Sequence, residues 1–286
     1  MILAASFPAA CVVPIVQPTG TPELSLKGFP PGTEAAEAIS ADGLTLRGVF
    51  LPAGPGAPVV LHLLPSEASA TTGLLGIAGW KQTLEVLRLQ GYSSLALDYR
   101  GVGASDGDPD PNALPEDGAS MWDEAVRRAG GESGKVVLRA ASLGTIPAAA
   151  LLEAGRQPRC VVLYAPIRSE TIAVHAPRAR RGPFLGTIVS WFLKRPTEVD
   201  LVEALRETEV HVLVVASRED RYLPEGEREL LFAAAEAGGN PVVLFEGDHL
   251  QLVSRAYGFE WGEFAGRVIE ELLEAERLFL AAKDPR

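Results

Sequence analysis

Two serines stand in patterns that could hold a nucleophile at a sharp turn of the backbone. The stretch "GASDG" at 103–107 matches the nucleophile pattern G-x-S-x-G, and "AASLG" at 140–144 differs from it only by the methyl group of Ala140. In such a turn a strand enters and a helix leaves, so that the serine hydroxyl is exposed at the end of a sheet. The sequence on either side of each serine therefore indicates which of the two can be the nucleophile.

Ser142 meets this requirement and Ser105 does not. Ser105 follows "LDYRGV" and precedes "DPDPNALPEDG", whose three prolines and several acids cannot carry a helix directly away from the serine. Ser142 directly follows the apolar run "KVVLRA" and precedes the helical pattern "GTIPAAALLEA", in which Pro147 falls in the tolerated first turn. We predict that Ser142 is a nucleophile; the alternative is that it only caps this helix.

A serine becomes nucleophilic when a histidine accepts its proton and a carboxylate orients that histidine. His249 follows the apolar run "PVVLFE" and is the predicted base, whereas His62 lies inside a predicted strand. Asp220 lies just past the run "VHVLVVAS" and is the predicted acid, with Glu219 as the alternative. Asp248 is a poor candidate because neighbouring side chains on a normal backbone point in different directions.

The elements that must position these residues alternate between strands and helices from about residue 36 onward. Short apolar runs predict strands at 44–52, 58–64, 93–99, 135–140, 159–165, 210–217 and 241–246. Helical patterns occupy 72–90, 115–129, 144–154, 225–238 and 259–282. This alternation predicts an α/β fold, with a mostly parallel central sheet of about eight strands and helices on both faces. Functional residues of such sheets follow the carboxyl ends of the strands.

Five stretches, in their order and spacing, resemble the α/β-hydrolase superfamily. They are "ADGLTLRGVFLP", "LDYRGVGASDG", "RAASLGTIPAA", "VLVVASREDRYLP" and "LFEGDHLQLV". The chain is most similar to single-domain serine hydrolases of the bud-emergence-homologue and acyl-thioesterase type, over residues 35–286. The resemblance implies a catalytic triad of Ser142, Asp220 and His249, in the order of that superfamily. It also implies that the motif around Ser105 is a structural turn after the fourth strand.

The resemblance further implies an oxyanion hole made of backbone N–H groups. Leu143 would supply one donor and Leu64 the other, because Pro65 has no N–H. Leu63 stands where the superfamily has glycine, which puts the geometry of the second donor in question and leaves Ser66 as an alternative. We expect a serine hydrolase that cleaves a carboxylic ester or thioester through an acyl-enzyme. The alternatives are a catalytically weak or inactive binding or scaffold protein and an amide-cleaving aminopeptidase.

A long insertion at about 167–208 corresponds to the lid of this superfamily. Its basic residues outnumber its single acid over 168–195, and they are Arg168, Arg178, Arg180, Arg181, Lys194 and Arg195. Its apolar side chains are predicted to line a substrate pocket; they include Phe184, Ile188, Trp191 and Phe192. The basic rim would allow peripheral contact with an anionic membrane. The alternative is a helix packed on the sheet with solvated arginines.

Composition limits the remaining options. A net charge of −11 argues against nucleic-acid binding. The two cysteines and four histidines have no zinc-ligand spacing, so we expect neither metal nor cofactor. Residues 1–34 are predicted to form an apolar arm or the remnant of a targeting segment. We expect a cytoplasmic protein, with bacterial lipoprotein-type anchoring through Cys11 as the alternative.

Overall fold

The computed structural model describes most of the predicted catalytic domain. It covers residues 23–66, 68–71, 73–74, 79–170, 172, 175, 199–256 and 279–280. Cys11 and the predicted lid side chains Phe184, Ile188, Trp191 and Phe192 lie outside these residues. The boundaries of the arm at 1–34, the domain at 35–286 and the insertion remain predictions.

An eight-stranded sheet forms the centre of the described structure. Its strands are β1 (Glu34–Ile39), β2 (Thr45–Leu51), β3 (Val59–Leu63), β6 (Ser93–Leu97), β7 (Val136–Ala141), β8 (Cys160–Tyr164), β9 (Val212–Ser217) and β10 (Val242–Phe245). Their order is β1-β2-β6-β3-β7-β8-β9-β10. From β6 to β10 all neighbours are parallel, and only the β1/β2 and β2/β6 pairs are antiparallel. The predicted, mostly parallel sheet of about eight strands is confirmed.

Helices lie between these strands and after the last of them within the described residues. They are α1 (Gly79–Leu89), α2 (Leu114–Arg128), α3 (Thr145–Glu153), α4 (Leu201–Glu207), α5 (Glu225–Ala237) and α6 (His249–Ala256). A two-stranded hairpin, β4 (Ala68–Ser69) with β5 (Gly73–Leu74), precedes α1. None of the described helices has the length and apolar character needed to cross a bilayer.

Four elements differ from the sequence prediction, and one of them is α6, which begins where we expected a loop. Strand β1 was not predicted, because "EAAEAI" has only alanines at its two buried positions; it pairs with β2 through a turn in which Gly43 has a φ of 86°. The hairpin β4/β5 replaces the beginning of the helix expected at 72–90. Helix α4 lies within the predicted insertion. Most of the helix predicted at 259–282 lies outside the described residues.

Helices cover both faces of the sheet, which explains why its central strands are buried along their whole length. Every residue of β3 is buried, and the same holds for β6, β7, β8 and β9. Val60 clusters with Leu87 of α1, whereas its neighbour Leu61 belongs to the main core with Met121 of α2. Since successive strand residues point to opposite faces, the two helices shield the two sides of β3.

Candidate active site

The turn after β7 carries Ser142. The strand ends at Ala141, a short 3-10 turn spans Ser142–Gly144, and α3 begins at Thr145. Ser142 has a φ of 49°, in the left-handed region that non-glycine residues rarely adopt. Such a conformation costs of the order of 1–3 kcal/mol and persists only where the surroundings enforce it. The strand, strained serine and helix occur in the predicted order.

Glycine at position 144 makes this turn possible. A Cβ atom at Gly144 would lie 2.0 Å from the carbonyl oxygen of Leu63 and 3.0 Å from that of Leu64. The end of β3 therefore touches the turn with backbone alone. Ala140, which replaces the first glycine of the pattern, is a fully buried residue of β7. Strand β7 thus accommodates the methyl group of Ala140 at the position where the pattern has glycine.

His249 lies within hydrogen-bonding distance of Ser142. Its Nε2 atom lies 2.8 Å from the Ser142 hydroxyl oxygen, although 107 residues separate the two in sequence. His249 is the first residue of α6, where we expected only a loop after β10. The helix start fixes the histidine backbone, and its side chain is 96% buried.

Asp220 completes a continuous chain of hydrogen bonds. Its Oδ2 atom lies 2.6 Å from Nδ1 of His249. Its Oδ1 atom accepts the backbone N–H groups of Tyr222, at 2.7 Å, and Leu223, at 3.2 Å. The turn after β9 therefore orients the carboxylate before any substrate binds.

The two alternative acids lie outside this chain of hydrogen bonds. Glu219 is exposed to solvent. Asp248 is also exposed, and its carboxylate accepts the backbone N–H of Gln251 at 2.8 Å within the first turn of α6. The structure therefore brings together Ser142, Asp220 and His249, and neither alternative acid has a hydrogen bond to His249.

Tyr222 is a neighbour of the site that the sequence did not reveal. Its ring lies 4.5 Å from the His249 ring between centroids, tilted by 35°. The same residue donates its backbone N–H to Asp220. Its position two residues after the predicted acid was the available clue, but an isolated tyrosine in "REDRYLP" has no distinctive pattern. The aromatic ring limits the orientations open to the imidazole.

The two predicted oxyanion donors belong to the segments that meet at this turn. Leu143 follows Ser142 within the 3-10 turn and is buried. Leu64 follows β3, is also buried, and its carbonyl accepts the Tyr99 hydroxyl at 3.2 Å. The contact between Gly144 and the end of β3 brings these two segments together. Leu63, in place of a glycine, is a fully buried β3 residue.

Ser105 has a structural role. Its hydroxyl donates to the carbonyl oxygen of Asp98 at 2.7 Å and accepts the backbone N–H of Arg47 at 2.8 Å. These bonds join the loop after β6 to β2. Its proton and one lone pair are therefore used by backbone groups. Ser142, in contrast, has a histidine as its partner.

His62 and His211 lie away from this site. His62 is completely buried in β3, edge-on to Trp80 at 4.9 Å between ring centroids, and burial together with nearby Arg139 holds its pKa well below the usual range. His211 is exposed just before β9, at the opposite end of the strand from Asp220. Among the described residues, no group of three metal-ligating side chains could hold a metal ion.

Comparison with solved structures identifies the architecture. The Pyrococcus furiosus esterase Pf2001 superposes with a TM-score of 0.64 at 17% identity, over 91% of this chain and 98% of that chain. The chain has the α/β-hydrolase fold. A structure of DcsB in complex with its substrate analogue gives 0.57 at 19% identity, over 87% and 99% of the respective chains. The Pyrococcus horikoshii acylaminoacyl peptidase gives 0.59 at 14% identity, over 78% of this chain but 38% of that one.

Sequence comparisons add no closer relative to this assignment. No protein-family model matches the chain, and no curated protein matches it significantly. The α/β-hydrolase fold is thus recognised by its three-dimensional arrangement. In this fold, the hydrogen-bonded side chains of Ser142, Asp220 and His249 follow the carboxyl ends of β7, β9 and β10, where functional residues of parallel sheets are found.

Proposed function

We propose that the protein is a serine hydrolase that cleaves a carboxylic ester or thioester through an acyl-enzyme. The observation that carries the proposal is the unbroken hydrogen-bonded chain from the Ser142 hydroxyl through His249 to Asp220, at 2.8 Å and 2.6 Å. A hydroxyl is a weak nucleophile on its own, and this arrangement gives it a base and gives that base a fixed orientation.

In the proposed acylation step, Oγ of Ser142 attacks the carbonyl carbon of the substrate while its proton passes to Nε2 of His249. The tetrahedral intermediate collapses when the bond to the leaving oxygen or sulfur breaks, and His249 gives its proton to that atom. Asp220 accepts the Nδ1–H bond throughout and stabilises the imidazolium. The products of this step are an alcohol or thiol and acylated Ser142.

Deacylation repeats the same chemistry with water. His249 takes a proton from the water, whose oxygen attacks the acyl carbonyl carbon. The bond to Oγ then breaks and His249 returns the proton to Ser142, which releases the carboxylic acid. In both steps the negative oxygen of the intermediate would be held by the N–H groups of Leu143 and Leu64. A single donor of this kind typically contributes about 10²–10³-fold to turnover.

Amide cleavage is the second candidate, because proteins of the same fold include an acylaminoacyl peptidase and a puromycin hydrolase. The same three hydrogen-bonded side chains would serve both reactions, but an amine leaves only if His249 protonates it. Rates with p-nitrophenyl esters and with p-nitroanilides of matched acyl groups would separate the two. Faster hydrolysis of the anilides would replace the ester proposal by peptidase activity.

Covalent labelling tests the nucleophile. A fluorophosphonate probe should label the wild-type protein and Ser105→Ala, and it should leave Ser142→Ala unlabelled. Circular dichroism of each variant shows whether it is folded. A folded wild-type protein that the probe does not label would instead favour an inactive binding or scaffold protein, the alternative suggested by Leu63.

The lid segment would determine which acyl groups the site accepts. We propose that the lid segment at 167–208 lines the acyl pocket with Phe184, Ile188, Trp191 and Phe192. Rates with p-nitrophenyl esters of increasing chain length measure the size of that pocket. A maximum at the shortest chains would argue against a lipid substrate and against a role of the basic residues at a membrane surface.

A further inference from the structure

Thr145 connects the serine turn to the strand beside it. It is the first residue of α3 and is completely buried. Its hydroxyl oxygen lies 2.6 Å from the carbonyl oxygen of Ser142, to which it donates, and it accepts the backbone N–H of Ile167 at 3.2 Å. Ile167 follows β8, the neighbour of β7 in the sheet.

The hydroxyl lies between two strained points of the backbone. Among the described residues, Ser142 and Ala165 are the non-glycine residues with positive φ, at 49° and 45°. Thr145 bonds to the carbonyl of the first, and its other partner is Ile167, two residues after the second. Strained conformations require support from their surroundings, and this single buried hydroxyl contacts both segments.

Both hydrogen-bonding roles of the hydroxyl are used. A threonine hydroxyl has one proton to donate and lone pairs to accept with. The proton goes to Ser142, since the alternative acceptor, the Ile167 carbonyl, lies at 3.4 Å. Valine has nearly the same shape but can fill neither role, whereas serine can fill both. The side-chain requirement is therefore a hydroxyl at this position.

We propose that Thr145 is a positioning residue for the nucleophile, an inference that rests on the proposed function. By fixing the Ser142 carbonyl, it holds the strained turn that directs the Ser142 hydroxyl towards His249. By accepting the Ile167 N–H, it ties this turn to the residue at which the predicted lid segment begins. Thr145 itself does not contact the reacting atoms.

Kinetics of matched variants test the proposal. Thr145→Val should lower kcat about tenfold with KM within about twofold of wild type, the effect expected when one hydrogen bond of about 1.4 kcal/mol is lost from the transition state. Thr145→Ser should restore kcat to within about threefold. Thr83→Val, the same change at a buried position of α1, should leave kcat unchanged. A Thr145→Val protein with wild-type kcat would overturn the proposal.

A second measurement separates this inference from the proposed function. If the fluorophosphonate labels no wild-type serine, the proposed function fails, and hydrogen exchange then tests the link. The Ile167 N–H should be protected in the wild type and in Thr145→Ser, and it should exchange at least about tenfold faster in Thr145→Val. Equal protection in all three proteins would show that the Thr145 hydroxyl does not stabilise the backbone at Ile167, and would overturn the proposal.

Discussion

At the scale of single residues, the partner of each hydroxyl distinguishes the two candidate serines. Ser105 gives its proton to the carbonyl oxygen of Asp98, whereas Ser142 lies against an imidazole. The sequence pattern alone favours Ser105, because it has both glycines. The structure favours Ser142, because the imidazole of His249, 107 residues later in the sequence, lies within hydrogen-bonding distance of its hydroxyl. A pattern match is thus less informative than the elements on either side of the serine.

Asp220→Asn is expected to lower kcat by about 10³–10⁴-fold. The amide nitrogen of asparagine would donate to Nδ1 and so favour the tautomer in which Nε2 cannot accept the Ser142 proton. Steady-state ester hydrolysis measures the effect. Glu219→Gln is the matched control, since Glu219 is exposed beside the same turn. Equal losses in the two variants would remove Asp220 from the proposed mechanism.

Ser105→Ala is expected to lower the free energy of unfolding by about 2 kcal/mol. Removing the hydroxyl leaves the Arg47 N–H and the Asp98 carbonyl without this partner, and each lost bond contributes about 1 kcal/mol. Urea unfolding measures the change. The rate of fluorophosphonate labelling should remain that of the wild type, and a loss of labelling in the folded variant would return Ser105 to the list of nucleophile candidates.

At the scale of elements, the strand-turn-helix unit around Ser142 could be predicted because each part has its own sequence pattern. Strand β7 is an apolar run, α3 begins beyond it, and Pro147 falls in the tolerated first turn of that helix. Other features could not be predicted from local pattern. Strand β1 has few apolar residues and forms because β2 pairs with it. The contact of Tyr222 with His249 depends on the turn after β9 and the start of α6, which only the folded sheet brings together.

Gly144→Ala tests the contact between the serine turn and β3. The added methyl group would collide with the backbone of Leu63 at 2.0 Å, so we expect a loss of about 3 kcal/mol in the free energy of unfolding. Gly134→Ala is the control, because a Cβ there meets nothing within 4 Å and should change stability by no more than about 0.5 kcal/mol. Equal stabilities of the two variants in urea would contradict the described packing.

The residue directly after β6 is a buried acid. Asp98 is completely buried, and its Oδ1 accepts the Ala70 N–H at 2.6 Å. Burial raises the pKa of Asp98 to about 7, although the bonds from Ala70 and Ser69 oppose that rise. In the unfolded chain the pKa of an aspartate is about 4.

This difference in pKa predicts how Asp98→Asn changes the pH dependence of stability. Between about pH 4 and pH 7 the native protein holds a proton at Asp98 that the unfolded chain has lost, so this group destabilises the fold as the pH rises. Asparagine removes that dependence. The free energy of unfolding of the variant relative to wild type should rise by up to about 4 kcal/mol from about pH 4 to about pH 8. Urea titrations that give a constant difference would contradict this assignment.

At the scale of the whole molecule, the site exists only when the sheet is assembled. Its three residues follow β7, β9 and β10, and the strands between them must pair before the hydroxyl, imidazole and carboxylate meet. Sequence reasoning could place each residue after a strand, because strand ends have local patterns. It could not give the distances, which depend on long-range pairing.

Activity and structure should therefore be lost together on unfolding. We expect urea transitions followed by far-UV circular dichroism and by fluorophosphonate labelling to have the same midpoint, as in two-state unfolding of a cooperative unit. If labelling disappeared at a clearly lower urea concentration, the site would belong to a part of the chain less stable than the central sheet.

The central claim is that Ser142 becomes acylated during turnover. Its most direct test is rapid mixing with a p-nitrophenyl ester, followed by acid quenching and mapping of the acylated peptide by mass spectrometry. We predict a burst of p-nitrophenol and an acyl group on the peptide that contains Ser142, and neither should occur with His249→Ala. An acyl group on any other residue, or turnover by a folded Ser142→Ala protein at the wild-type rate, would contradict the account.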